Sequence, residues 1–240
     1  NEEGVGGTVV LLGEKVELGS GSLIIADGAT DGGDVFIGGG PRGEAIAEDD
    51  NAQFTSVAVG SRIEASGADG RGGTVILWAD DTMDYQGHIE NTGTTSGGFA
   101  EVSGLRNLSF AGTVNTGGGD LLLDPFNYTI GATEAGNIVA ALGANNVTID
   151  TTADTAGFGS SGNAADAGDI TVNSDIFYDS TFNLTFLAVG DANFNASVQN
   201  RNATGGNINI VAGWDGTTAF DATTFLAEDV ATTTLFGQNS

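Results

Sequence analysis

The stretch "GGTVILWA", residues 72–79, decides how this chain is read. A pair of glycines leads into a short apolar run rich in β-branched residues, and the same arrangement keeps returning. It appears as "GGTVVLLG" at 6–13, "GGDVFIGG" at 32–39, "GGFAEVSG" at 97–104, "GGDLLLDP" at 118–125, "AGDITVNS" at 167–174 and "GGNINIVA" at 205–212. Successive starts are separated by 26, 40, 25, 21, 49 and 38 residues. An irregular repeat with a floor in the low twenties is what stacked units with loop insertions produce.

A second frame alternates with the first: "LGSGSLIIADGAT" at 18–30, "AVGSRIEASGADG" at 58–70, "YQGHIENTGTTSG" at 85–97 and "FAGTVNTGGG" at 110–119. Each holds a short run centred on Ile or Val and then a Gly-rich corner. Period-two alternation bounded by Gly, Asn, Asp and Ser reads as short strands. Two or three such strands in 20–25 residues are the unit of a parallel β-helix, or β-solenoid. The expectation is an all-β fold over 1–213, with insertions near 40–56 and 131–166. Residues 214–240 are expected to form a terminal strand pair or a capping arm.

Only one helix is expected, a short one within "TEAGNIVAALGAN" at 133–145. Thr133 is its N-cap, Ile138, Val139 and Leu142 its apolar face, and Gly143 its stop. In "LLLDPFNYTI", Leu121–Leu123 are a strand and Asp124-Pro125 a corner, after which Phe126, Tyr128 and Ile130 resume alternation. Alternation leaves the register of 74–79 open: either Val75 and Leu77 or Ile76 faces the core.

Thirty-two acidic residues face six basic ones, for a formal net charge of -26. Such a surface repels phosphate backbones, so nucleic acid is not an expected partner. No apolar run approaches the ~20 residues of a membrane span, so membrane insertion is not expected. A hydrophobic content of 40% is that of a folded chain and not of an acidic disordered tail. Cysteine is absent, which removes disulfides and thiolate chemistry together. The chain opens at Asn1 and its one methionine is Met83, so a processed chain or a piece of a longer one is expected.

The ordered set "GGTVVLLGEKVELGSGSLIIADGATDGGDVFIGG", "VAVGSRIEASGADGRGGTVILWADDTMDYQGHIE", "GGFAEVSG" and "GGDLLLDPFNYTI" resembles the filamentous-haemagglutinin-like exoproteins over residues 4–213. These are bacterial adhesins of the two-partner secretion type. The resemblance implies a right-handed parallel β-helix, secreted to the cell surface, that serves as an adhesin or extracellular fibre without catalysis. It implies as partners a cell-surface or matrix carbohydrate or protein, or copies of the chain end to end. It also implies an outer-membrane transporter acting on an upstream segment during export.

Candidate site residues are few. Trp78 and Trp214 each end a strand beside an acidic residue, an arrangement that can hold a sugar ring. Asp80, Asp81 and Asp84 in "DDTMD" are hard oxygen ligands close enough in sequence to hold calcium, as are Glu48, Asp49, Asp50 and Asn51 in "EDDN". His88 is the only histidine, and no strained nucleophile motif accompanies it. The rival from another class is a polysaccharide lyase or hydrolase, because parallel β-helices host those enzymes too. Arg62, Arg71, Arg106 and Arg201 would then be its candidate cations or bases. A third reading is a self-assembling filament subunit.

Overall fold

The computed structural model describes residues 4–46, 51–151 and 167–214. Within them the chain is almost entirely β, and every strand pairing is parallel. Six of the seven repeated units, all but the one at 167–174, supply strands to a sheet of eight strands. The eight are β1 (Thr8–Leu11), β4 (Asp34–Ile37), β7 (Thr74–Ala79), β10 (Phe99–Gly104), β13 (Asp120–Leu123), β15 (Asn146–Asp150), β18 (Leu184–Ala188) and β21 (Ile208–Ala212). Two further sheets have four strands each, the second of them built from the second frame. One holds β2 (Lys15–Leu18), β5 (Phe54–Val57), β8 (Thr82–Tyr85) and β11 (Asn107–Phe110). The other holds β3 (Leu23–Ile25), β6 (Arg62–Glu64), β9 (His88–Glu90) and β12 (Thr113–Asn115). Each strand thus pairs with the element three places further along, so three strands form a tier and like sits on like.

Registry explains the core. Val35, Val75, Ala100, Leu121, Val147 and Leu184 follow one another across the large sheet, and none is exposed to solvent. A second row runs Ile37–Leu77–Val102 and continues as Leu123–Ile149–Phe186, equally buried. Ile24, Ile63, Ile89 and Val114 stack in the third sheet, and Leu18, Val57, Tyr85 and Phe110 in the second. All these side chains belong to one apolar cluster. The open register of 74–79 is resolved in an unexpected way. Val75 and Leu77 enter that core, yet Ile76 is just as buried on the opposite face. The large sheet is covered on both sides around β7 and β10.

Close approach at the corners is what demands glycine. A Cβ at Gly73 would lie 2.0 Å from the Gly33 carbonyl oxygen of the neighbouring tier. Asn91, fully buried, secures the same corner by donating from Nδ2 to the carbonyls of Gly73 (2.9 Å) and Phe99 (2.8 Å).

The one helix, α1 (Ala132–Ala141), follows β14 (Tyr128–Ile130). It buries Ala135, Ile138 and Ala141 and packs against β12 and β17 (Ile176–Tyr178), standing in for a third strand at that level. Its N-cap is Gly131 rather than Thr133, and Glu134 Oε2 accepts the Gly131 backbone N–H at 3.0 Å. An acidic residue in the first turn also suits the helix dipole. Beyond it, β14 pairs with β16 (Ile170–Val172) and β19 (Ala192–Phe194), and β17 pairs with β20 (Val198–Asn200). The segment 131–166 is therefore not a plain insertion: α1 and β15 are regular parts of the architecture, and 152–166 lie outside the described residues. Of the terminal strand pair or capping arm expected over 214–240, all but Trp214 also lies outside the described residues.

Candidate functional site

The residues singled out from the sequence do not converge. Trp78 closes β7 on the outer face of the large sheet and is only 1% exposed, so it presents no face to a sugar. Its indole Nε1 donates to Asp80 Oδ1 at 2.7 Å, and its ring lies under the turn at 41–43 and against Leu105 and Phe126. Trp214 packs with Leu187 and Val211 and is 9% exposed. Both tryptophans are packing residues in this structure, which corrects the expectation of exposed sugar platforms.

Asp80 is buried, and its two carboxylate oxygens receive Trp78 Nε1, Asn51 Nδ2 and Gln53 Nε2. Asp84 projects from β8, where Met83 and Tyr85 take the core side, and accepts Gln86 Nε2 on both oxygens. Asp81 serves through its backbone, its carbonyl receiving the N–H groups of Arg106 and Asn107. Asp80 and Asp81 lie in the bend between β7 and β8 and Asp84 within β8, and the three have different partners. Among the described residues no group of three acidic or histidine side chains is placed to hold a metal ion. Of "EDDN", only Asn51 lies within the described residues, and it donates to Asp80 and to the Gly43 carbonyl.

Other polar candidates are committed to neighbours. His88 touches Thr113 Oγ1 at 2.7 Å and Glu90 Oε2 at 3.1 Å. Arg62 pairs with Glu64, Arg71 with Asp31, and Arg201 lies over the Phe177 ring at 4.4 Å. A shallow polar groove of about 480 Å³ runs along the Gly-Gly corner, with Asp34, Thr74, Phe99 and Asp120 in one register row along its wall.

The most organised polar constellation was not visible in the sequence. Three carboxylates lie buried on the outer face of the large sheet: Glu101 in β10, Asp124 just after β13 and Asp150 at the end of β15. A turn at 40–46 crosses this face and inserts Arg42 among them. The Arg42 backbone N–H donates to Glu101 Oε1 (3.0 Å) and Oε2 (3.2 Å). Its guanidinium donates to Asp124 Oδ2 at 3.1 Å and to Asp150 Oδ2 at 2.9 Å. Ser103 hydrogen bonds to Glu101 and its Oγ accepts the Asp124 backbone N–H at 3.2 Å.

Electrostatics follow from this geometry. Burial pushes the Glu101 carboxyl up to about 7, against the opposing pull of the Arg42 N–H and the Ser103 hydroxyl. Arg42 feels burial as a lowering influence, but Asp124, Asp150 and Glu101 outweigh it and hold the guanidinium above its usual range. Arg42 adopts φ 53°, the only described non-glycine residue with a positive φ. Backbone strain at such a position persists only where the surroundings impose it.

Two weak signals could have exposed the constellation. A glutamate stands at 101 where the sister strands carry Phe36, Ile76 and Leu122. The "PRG" at 41–43 also holds one of five arginines and one of two prolines in the chain. No protein-family model matches the chain, and no curated protein matches it either.

Proposed function

We propose that the chain is a segment of a secreted bacterial surface protein, a right-handed parallel β-helix acting as an adhesin or extracellular fibre without catalysis. One observation carries this reading. The large sheet pairs in register through all eight of its described strands, so its apolar rows run on along the stack. A fold extended by repetition provides length and a long lateral surface, which suits attachment across a distance. Cell-surface or matrix carbohydrate or protein is the partner class in this reading, and the groove beside Phe99 is an accessible face for it.

The non-catalytic part of the reading is supported by how the acids are used. Glu101, Asp124 and Asp150 have the composition of an acid–base set, but all are buried beneath the 40–46 turn and engaged by Arg42. The test pairs two assays on one preparation. Beads coated with the chain should be retained by immobilised cell-surface and matrix glycoproteins, and acidic polysaccharides incubated with it should yield no unsaturated products. Turnover of a polysaccharide, or beads retained no better than uncoated ones, would overturn the proposal.

A further inference from the structure

We propose that the turn at 40–46 is a proton-governed strap, seated on the large sheet while Glu101 carries its proton and lifting when Glu101 ionises. The inference concerns a conformational device and does not depend on the adhesive reading.

Glu101 is fully buried, and the strap covers it through Arg42. Its register neighbours across the sheet are Ile76 in β7 and Leu122 in β13, both apolar and buried. Its polar contacts are Ser103 on its own strand and the Arg42 N–H from the strap. The charged groups around it are Arg42 above, Asp124 beyond β13 and Asp150 at the end of β15, the last of which opposes its ionisation. β7 offers no ionisable side chain in register; Asp80, past its end, is occupied by Trp78 and Asn51. Glu44, also on the strap, is exposed. Among the described groups that touch Glu101, only Arg42 belongs to a segment that is not a paired strand, so the strap is the wall whose movement hydrates an ionised Glu101.

The sign follows from linkage. Under the strap the carboxyl titrates near 7, above the 4.5 of a free glutamate, so closure takes up a proton and is favoured at low pH. Raising the pH through 7 transfers the advantage to the open form. The positive φ of Arg42 adds strain that lifting relieves. Opening uncovers three carboxylates at once, together with the Trp78 ring, against which a Cβ at Gly43 would stand 2.5 Å away.

Hydrogen exchange of the whole chain at pH 5.5 and pH 8, corrected for intrinsic rates, reads the strap directly. The amides of Arg42, Gly43 and Glu44 are all hydrogen bonded in the closed form. Their protection should fall by roughly 30-fold between the two pH values, as one proton linked between about 4.5 and 7 requires. Amides of β4 and β18 should not follow. In Glu101→Gln the strap should be equally protected at both pH values. Equal protection in the unaltered chain, or the same fall in the Gln variant, overturns the proposal. Should Glu101→Gln fail to fold, Trp78 emission in a Trp214→Phe background replaces it. A red shift with a midpoint near pH 7 supports the strap, and a flat profile from pH 5.5 to 8 sinks it.

Discussion

Arg42 shows how one side chain can govern a buried polar cluster. A buried charge whose partner is deleted remains uncompensated, and such losses run to about 3–5 kcal/mol. Arg42→Ala should therefore destabilise the chain by roughly 3 kcal/mol, measured by urea unfolding at pH 7. Arg42→Lys should recover only part of this, because an ammonium cannot span Asp124 and Asp150 as the forked guanidinium does. Asp80 makes a second case. Asp80→Ala strips the Trp78 indole N–H of its acceptor in a buried setting, a loss of about 1–3 kcal/mol in the same assay. Asp80→Asn, which keeps an oxygen at that position, should lose less. An Asp80→Ala variant as stable as the parent would show that the 2.7 Å bond contributes nothing net.

At the scale of elements, the glycines divide into two kinds. Gly73 is fixed by contact between tiers, whereas a Cβ on Gly136 in α1 would meet nothing within 4 Å. Gly73→Ala should cost several kcal/mol or prevent folding, since the clashing atom is a backbone oxygen. Gly136→Ala should raise stability by about 0.5–1 kcal/mol through helix propensity and lost chain entropy. Thermal unfolding of the pair checks both signs. This contrast also marks where sequence was informative. Repeated Gly-Gly pairs and period-two runs located six of the eight strands of the large sheet, because both arise from local backbone requirements; β15 and β18 carry no Gly-Gly pair and were missed. These signals could not reveal that its outer face is buried as well, since that depends on a turn some sixty residues away in sequence, with Arg42 reaching Glu101. The clustered aspartates misled as well. Asp80 lies in the bend that follows β7 and Asp84 within β8, so the corner between them gives the two carboxylates different neighbours.

For the whole molecule, charge and connectivity set behaviour. A net charge of -26 makes self-repulsion a standing opposition to the folded state. Sodium chloride raised from about 10 mM to 150 mM shortens the screening length from about 30 Å to 8 Å, so the melting temperature should rise over that interval. A melting temperature indifferent to salt would mean that the acidic side chains are too well spaced to matter. The in-register stacking has a mechanical consequence as well. Hydrogen bonds between tiers point along the stack, so tension applied at its two ends loads them one tier at a time, as in a zipper, and not all together as in shear. From Thr74 in β7 to its register partner Phe99 in β10 is 99 − 74 = 25 residues. Stretched at about 3.4 Å per residue, each such loop releases roughly 85 Å of slack. Pulled in an optical trap, the chain would yield in a staircase of low-force steps and act as an extensible tether that takes up sudden load by unwinding a loop and recovers by rewinding it.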